Sequence, residues 1–220
     1  MKTCTDMEED SVSRREEREA KRRFYTHKGH IDLLFIAEAP PNALDRFFYF
    51  IPAEGSIEIK KYDWLFVYTV KALFQNTEKM SKSDVLGKKK YYLEQLRDHR
   101  FLELDALCDP IGGRSQKRIK AIQAGCRDLF KMIKSYTSEK SGIIDSETKI
   151  VLVKATVFHA LFELDAYRDA WKKSSYRVLN NEAIDFPSKG NQLKFLSKID
   201  KLPIEKWEPP TKKEGTRNTT

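Results

Sequence analysis

The stretch IDLLFIA at residues 31–37 is a short, nearly continuous apolar run that leads into Glu38 and is closed by Pro40 and Pro41. A run of this length and character is typical of a strand buried on both faces of a parallel sheet. Outward from it, three more segments have strand character, and segments with helical periodicity separate them. The predicted strands are residues 31–37, 101–107, 150–153 and 176–179, and the predicted helices are residues 62–75, 83–99, 116–136 (capped by Ser115), 157–172 and 191–199.

This alternation predicts the α/β class, with a three-layer α/β/α arrangement around a central, mostly parallel four-stranded sheet. Residues 27–208 are expected to form this one domain. Residues 1–26, in which Arg and Glu are mixed, are expected to form a charged N-terminal helix or extension with a solvated face. Residues 209–220 lack any apolar anchor and are expected to be a flexible tail.

The composition narrows the class of protein. Among 220 residues, 41 are Lys or Arg and 33 are Asp or Glu, so the formal net charge is +8, which fits either an anionic partner or a need for solubility. No stretch approaches the roughly 18 apolar residues of a membrane span, and the polar N-terminus lacks a secretion signal, so an intracellular protein is expected. Three widely spaced cysteines exclude a disulfide framework and a CxxC metal pair.

In a parallel α/β sheet the ligand binds outside the carboxyl ends of the strands, so the segments after the strands are the candidate site. Glu38 follows the first strand, and the two prolines stiffen the chain after it. A carboxylate held there can orient a water or stabilise a developing cation, whereas the alternative is an exposed turn glutamate. The aromatic run 47–50 comes next, and we expect a mixture of rings that line a pocket and rings that pack in the core.

The segment after the second strand has the features of a phosphate-binding loop. Gly112 and Gly113 precede a helix, where backbone N–H groups are open to an anion, and Arg114, Lys117 and Arg118 surround them. The segment matches neither a P-loop nor a dinucleotide-binding motif. After the third strand, His159 is expected to be a core residue, and the scattered histidines suggest no metal cluster.

The segment after the fourth strand is a tight loop of small and polar residues that leads into the last helix. Ser188 or Asn191 can cap that helix, and the same groups can contact a phosphodiester, with Lys189 adding charge.

Taken in order, these segments resemble the uracil-DNA glycosylase superfamily over about residues 29–200. The first motif of its iron–sulfur branch ends a first strand with Gly-Glu-Ala-Pro-Gly, and residues 36–41 (IAEAPP) stand in that place. The second motif is His-Pro-Ser before the final helix, and Phe186, Pro187 and Ser188 stand there.

The resemblance implies a single α/β/α domain that binds DNA and extrudes a base into a pocket. The protein itself is expected to be a monomer. It implies that Glu38 positions the attacking water or stabilises the sugar cation, and that one ring among Phe47, Phe48 and Phe50 stacks on the base. Asp105 would stand at the base-reading position. Pro187 and Ser188 would hold a phosphate, with Lys189 or its neighbours entering the groove.

Departures from the family pattern leave the function open. Phe186 replaces a histidine that donates to the leaving base, and loss of one such donor costs on the order of a hundredfold or more in rate. Asp105 replaces an asparagine, and Pro41 replaces a glycine. The cluster-binding cysteines are missing, so no iron–sulfur cluster and no other cofactor is expected.

Three functions follow from these observations. The first is a DNA glycosylase of altered base specificity, and the second is a non-catalytic protein of the same fold that binds nucleic acid or a nucleobase. The third is an enzyme that acts on a small phosphorylated compound through the loop at Gly112 and Gly113.

Overall fold

The computed structural model of the chain describes residues 4–51, 63–136, 144–162 and 176–209. Within these residues it contains seven α-helices and four β-strands. In chain order they are α1 (Cys4–Phe24), β1 (Leu33–Ala37), α2 (Trp64–Leu73), α3 (Lys82–Gly87), α4 (Lys89–Asp98), β2 (Phe101–Asp105), α5 (Ser115–Ser135), β3 (Lys149–Leu152), α6 (Ala155–Leu161), β4 (Arg177–Val178) and α7 (Gln192–Ile199). The second half of the predicted helix 157–172 and the predicted tail, apart from Pro209, lie outside the described residues.

The four strands form one all-parallel sheet in the order β2-β1-β3-β4. In the register of the central strand, Leu33 lies beside both Phe101 and Lys149, and Ala37 lies beside Asp105. All five residues of β1 are buried, because strands flank it on both sides and helices cover both faces. The predicted three-layer α/β/α fold is thereby confirmed.

Helix α5 buries the apolar stripe that its periodicity predicts. Ile122, Cys126, Leu129 and Ile133 are buried along one face, four or three residues apart, and the helix packs on α6. Ser115 does not cap this helix, which was a wrong prediction: Arg114 is at the N-cap position and Ser115 is the first helical residue.

The predicted helix over 83–99 is two helices, with a break at Lys88 (φ −107°, ψ 22°). The break lets Lys89 turn inward, where its ammonium group donates to the Phe47 carbonyl and to Asp63. The buried Lys89–Asp63 ion pair therefore places a charged residue where the helical periodicity of this segment is interrupted. Each ion needs the other, because a charge buried without a partner costs several kcal/mol.

The expectation that the N-terminal helix presents its charged residues to solvent is wrong for two of its arginines. Arg18 and Arg22 are only 5% and 6% exposed. Arg18 donates to the Cys108 carbonyl, and Arg22 donates to Asp105 and to the Glu103 carbonyl. Helix α1 thus packs beside the carboxyl end of β2, held by hydrogen bonds rather than by an apolar stripe. Among the described helices, none is both long enough and apolar enough to cross a membrane.

Candidate functional site

A cavity of about 250 Å³ lies at the carboxyl edge of the sheet, where the strand order predicts a ligand. The ends of β1 and β2, the start of α2 and the segments after β3 and β4 contribute to its wall. The aromatic and charged side chains that give the wall its chemical character are Glu38, Arg46, Phe47, Phe48, Asp63, Trp64, Glu103, Asp105, Lys154 and Phe186.

Glu38 is held at this edge by three side chains. Its carboxylate oxygen Oε1 lies 2.7 Å from the ammonium nitrogen of Lys154 and 3.6 Å from Nη1 of Arg118. The hydroxyl of Thr156 donates to Oε2. Glu38 is only 6% exposed. It is therefore a fixed, buried carboxylate and not an exposed turn residue.

Lys154 has a strained backbone, with φ 87° and ψ 136°. A lysine in this region costs about 1–3 kcal/mol and persists only where its surroundings enforce it, often at functional sites. Here its N–H donates to the Ile184 carbonyl, which ties the end of β3 to the segment after β4. Its ammonium nitrogen also lies 5.6 Å from the centre of the Phe186 ring. The sequence interpretation missed Lys154, although a lysine directly after a buried strand is a signal that could have identified it.

Three of the four acidic side chains in the cavity wall have a cation of their own. The pairs are Glu38–Lys154 at 2.7 Å, Asp63–Lys89 at 2.5 Å and Asp105–Arg22 at 2.9 Å. The fourth acid is Glu103, which is 1% exposed and whose Oε2 has no hydrogen-bond partner within the described residues. Asp63 and Glu103 were not among the predicted site residues. An acidic residue inside an apolar strand is the signal that could have singled out Glu103.

Burial dominates the electrostatics of Glu103 and Asp105. Burial, reinforced by the nearby Asp105 charge, raises the pKa of Glu103 well above its usual range. Burial also raises the pKa of Asp105 to about 6, although Arg22 opposes the shift. The acid without a cation is therefore one whose neutral, protonated form is favoured by burial.

The aromatic run after β1 is divided as predicted between pocket and core. Phe47 and Phe48 line the cavity and are buried, whereas the Tyr49 hydroxyl supports the sheet by accepting from the Glu103 N–H at 2.7 Å. Phe50 is half-buried outside the cavity wall, with the Lys21 ammonium nitrogen 5.1 Å from its ring centre. Two of the three predicted stacking rings therefore lie at the cavity. Trp64 adds an aromatic surface that the sequence interpretation did not include.

The predicted phosphate loop lies beside the cavity and not in its wall. Gly113 has φ 104°, a conformation that favours glycine, and Gly112 is exposed. Arg114 and Lys117 are exposed and form no ion pair with other described residues. Arg118 instead turns toward Glu38, so this predicted phosphate ligand belongs to the carboxylate cluster.

The loop after β4 flanks the cavity through Phe186. Pro187 is buried, Ser188 is half-buried and Lys189 is exposed. The Ser188 N–H donates to the Phe186 carbonyl at 2.7 Å, and the Asn191 N–H donates to the Ser188 carbonyl at 2.9 Å. Asn191 stands at the N-cap of α7 but makes no side-chain hydrogen bond there, so neither predicted capping bond is seen.

The histidines of the described chain do not line this cavity. His159, the one that follows a strand, is half-buried in α6, away from the cavity wall. In the described parts of the chain, no group of three or more His, Cys, Asp or Glu side chains is arranged to hold a metal ion.

The chain has no significant match to a protein-family model, to a curated protein or to a solved structure.

Proposed function

We propose that the chain is a uracil-DNA glycosylase-like protein that hydrolyses the N-glycosidic bond of a damaged or deaminated base in DNA. The observation that carries the proposal is Glu38, a buried carboxylate fixed at the edge of a small cavity with aromatic walls. The motif resemblance assigns the catalytic role to this same residue.

The size and charge of the cavity favour a neutral, flat ligand. Cavities for drug-sized ligands span roughly 300–1,000 Å³, so a volume of about 250 Å³ suits one small ring system. Three of the four carboxyl groups in the wall are paired with Lys154, Lys89 and Arg22, so these three cations are already engaged and do not offer a phosphate an unpaired charge. Since Gly112 and Gly113 are not in the wall, these observations disfavour the enzyme of a small phosphorylated compound.

The side chains suit the charge changes of the proposed reaction. When the C1′–N bond breaks, its electron pair leaves with the base and the sugar becomes cationic. The Glu38 carboxylate can stabilise that cation and accept a proton from the water that adds to C1′. The base takes up a proton in exchange. Lys154, beside Phe186, offers a donor near the position where the family pattern has a histidine.

Exposed cations surround the cavity and could follow a DNA backbone. Arg46 lies at the cavity, Arg114 and Lys117 lie in the loop after β2, and Lys189 lies in the loop after β4. Phosphate contacts from both loops would place the nucleotide between them over the cavity. Extruding that nucleotide would bring its base against Phe47 and Phe48.

A second candidate is a protein that binds an extruded base without cleaving it. The observation that favours it is that both carboxylate oxygens of Glu38 already have partners. Lys154 donates to one oxygen, and Thr156 donates to the other. A carboxylate so occupied has less capacity to take a proton from water. Phe186 in place of a histidine favours the same candidate.

A base-release assay separates the two candidates. Labelled oligonucleotides carrying uracil, hypoxanthine, xanthine or an oxidised base are incubated with the protein, and abasic sites are then cleaved by alkali. The variants are Glu38→Gln and, as a matched control, Glu147→Gln, an exposed glutamate before β3 at the opposite edge of the sheet.

We expect release by the wild type and by Glu147→Gln, with at least a hundredfold loss in Glu38→Gln. Unchanged release in Glu38→Gln would remove Glu38 from the mechanism. Salt-sensitive DNA binding without release would favour the second candidate. Absence of DNA binding would contradict both.

A further inference from the structure

The main chain of Glu103 is clamped on both sides, while its carboxyl group is left without a partner. The Arg22 Nε donates to the Glu103 carbonyl at 3.1 Å, and the Tyr49 hydroxyl accepts from the Glu103 N–H at 2.7 Å. The Oε2 atom, in contrast, has no hydrogen bond with any described residue, although Glu103 is only 1% exposed. Leaving a buried polar group unsatisfied is costly, so such a group calls for an explanation.

The charged groups around Glu103 are already committed to others. From α1, the remaining two guanidinium nitrogens of Arg22 go to Glu19 and Asp105. From the start of α2, Asp63 faces Glu103 but takes the Lys89 ammonium group. The other cation of the cavity wall in an ion pair, Lys154, is bound to Glu38.

We propose that Glu103 reads the edge of the bound base as a neutral carboxylic acid, donating through its O–H to an acceptor on the base. This inference rests on the proposed function, since it takes the ligand of the cavity to be a base. The raised pKa of Glu103, caused by burial and by the Asp105 charge, agrees with the protonated form. A neutral carboxyl group supplies one donor and an acceptor side by side. It therefore pairs with a base edge that carries an acceptor next to a ring N–H, as uracil and hypoxanthine do.

The proposal assigns the base-reading role to Glu103, two residues before Asp105 in β2. The resemblance implies Asp105 for this role, but Asp105 accepts from Arg22 at 2.9 Å and lines the cavity as one half of an ion pair. Asp105 and Glu103 point to the same face of the strand because side chains alternate. Among the acids of the wall, the one whose carboxyl group has no cation is Glu103.

Two variants of nearly equal size isolate the donor. Glu103→Gln keeps a donor and an acceptor, whereas Glu103→Leu keeps the volume and loses both. Binding of free uracil and free hypoxanthine is measured by calorimetry at pH 7, with 1,3-dimethyluracil, which has no ring N–H, as the ligand control. Thermal unfolding of each variant establishes that it is folded.

We expect Glu103→Gln to bind uracil and hypoxanthine within about threefold of the wild type and Glu103→Leu to bind them about tenfold or more weakly, because one partner of a hydrogen bond is lost. We expect 1,3-dimethyluracil to bind weakly to all forms. Equal binding by Glu103→Leu and the wild type would overturn the inference while leaving the proposed function intact. A wild type that binds none of the free bases would overturn the inference, whereas the base-release assay decides the proposed function separately.

The protonation state is measured independently of any ligand. The carboxyl carbon of Glu103, assigned by comparison with Glu103→Gln, is expected to show the chemical shift of a protonated acid at pH 7. The shift of an ionised carboxylate would overturn the role as donor, even if bases bind. This measurement also keeps the inference testable if Glu103→Leu fails to fold.

Discussion

At the scale of single residues, Lys154 has a strained backbone and also places a positive charge beside Glu38. Its φ of 87° lies at the turn from β3 into α6, and its ammonium group lies 2.7 Å from Glu38. The strain is tolerated because the Lys154 N–H bonds to Ile184 and the side chain bonds to the carboxylate. A residue such as glycine, which adopts this φ without strain, would not need these two hydrogen bonds.

A pair of variants separates the strain from the charge. Lys154→Met and Lys154→Gly both remove the ammonium group, but only glycine adopts this backbone freely. We expect Lys154→Gly to be more stable than Lys154→Met by about 1 kcal/mol, since the relief of strain exceeds the added entropy of the unfolded chain. Urea unfolding of both variants measures the difference. If Lys154→Met is as stable as Lys154→Gly, the backbone strain is not significant.

Some residues of the candidate site could be predicted from the sequence, and others could not. Glu38, Phe47 and Phe48 follow a recognisable strand, so their place at the cavity could be predicted from the pattern. Lys154 reaches the site through a positive φ, which sequence patterns do not encode for lysine. Glu103 was passed over because an apolar alternation identifies a strand without saying which face borders a cavity.

At the scale of elements, α1 is attached to the domain by arginines instead of an apolar stripe. Its polar periphery is typical of a solvated helix, so its packing could not be predicted from hydrophobic periodicity. The acceptors that bind Arg18 and Arg22 lie more than 80 residues away along the chain, at the end of β2. The sheet, in contrast, was predictable because its strands are short segments, apolar or alternating in polarity, between segments of helical periodicity.

Neighbouring arginines of α1 test this attachment. Arg22→Met leaves Asp105 buried without its cation, and we expect the free energy of unfolding to fall by about 3–5 kcal/mol. Arg23→Met is the matched control, because the Arg23 side chain is 67% exposed and pairs with Glu19 at the surface. We expect that change to cost less than about 1 kcal/mol. Equal losses in the two variants, measured by urea unfolding, would contradict the anchoring role of Arg22.

At the scale of the whole molecule, the buried acids make stability depend on pH. Glu103 has a raised pKa in the folded protein, whereas an unfolded glutamate ionises near about pH 4.3. Between these two values the folded state holds a proton that the unfolded state has lost. Stability therefore falls as the pH rises through this window, and Asp105, with its pKa raised to about 6, acts in the same direction.

The variant Glu103→Gln isolates this contribution. Glutamine does not titrate, so the stability of Glu103→Gln relative to the wild type is expected to increase with pH above about 4.3, by at most about 1.4 kcal/mol per pH unit. Urea unfolding at several values from about pH 4 to about pH 8 measures the difference, a range that starts near the ionisation of an unfolded glutamate. Glu147→Gln, at an exposed position, serves as the control and is expected to differ from the wild type by a constant amount. A pH-independent difference for Glu103→Gln would contradict the raised pKa.

On the same scale, the two loops and the cavity form one surface at the carboxyl edge of the sheet. The exposed cations Arg114, Lys117 and Lys189 flank a cavity whose wall carries three paired carboxyl groups and the buried Glu103. The surface is suited to hold a phosphate backbone outside and a base inside. Both candidate functions, with and without cleavage, require that a base leaves the DNA stack and enters the cavity.

The most direct measurement of that central claim is the fluorescence of 2-aminopurine placed next to uracil or hypoxanthine in an oligonucleotide duplex. The neighbouring 2-aminopurine becomes brighter when the target base leaves the stack. We expect the wild type and Glu38→Gln to raise the fluorescence on binding. We expect Ala39→Phe, which places a ring in the cavity wall, to bind the duplex without the rise. Binding by the wild type without a rise, or the same rise with Ala39→Phe, would contradict the claim that the cavity receives an extruded base.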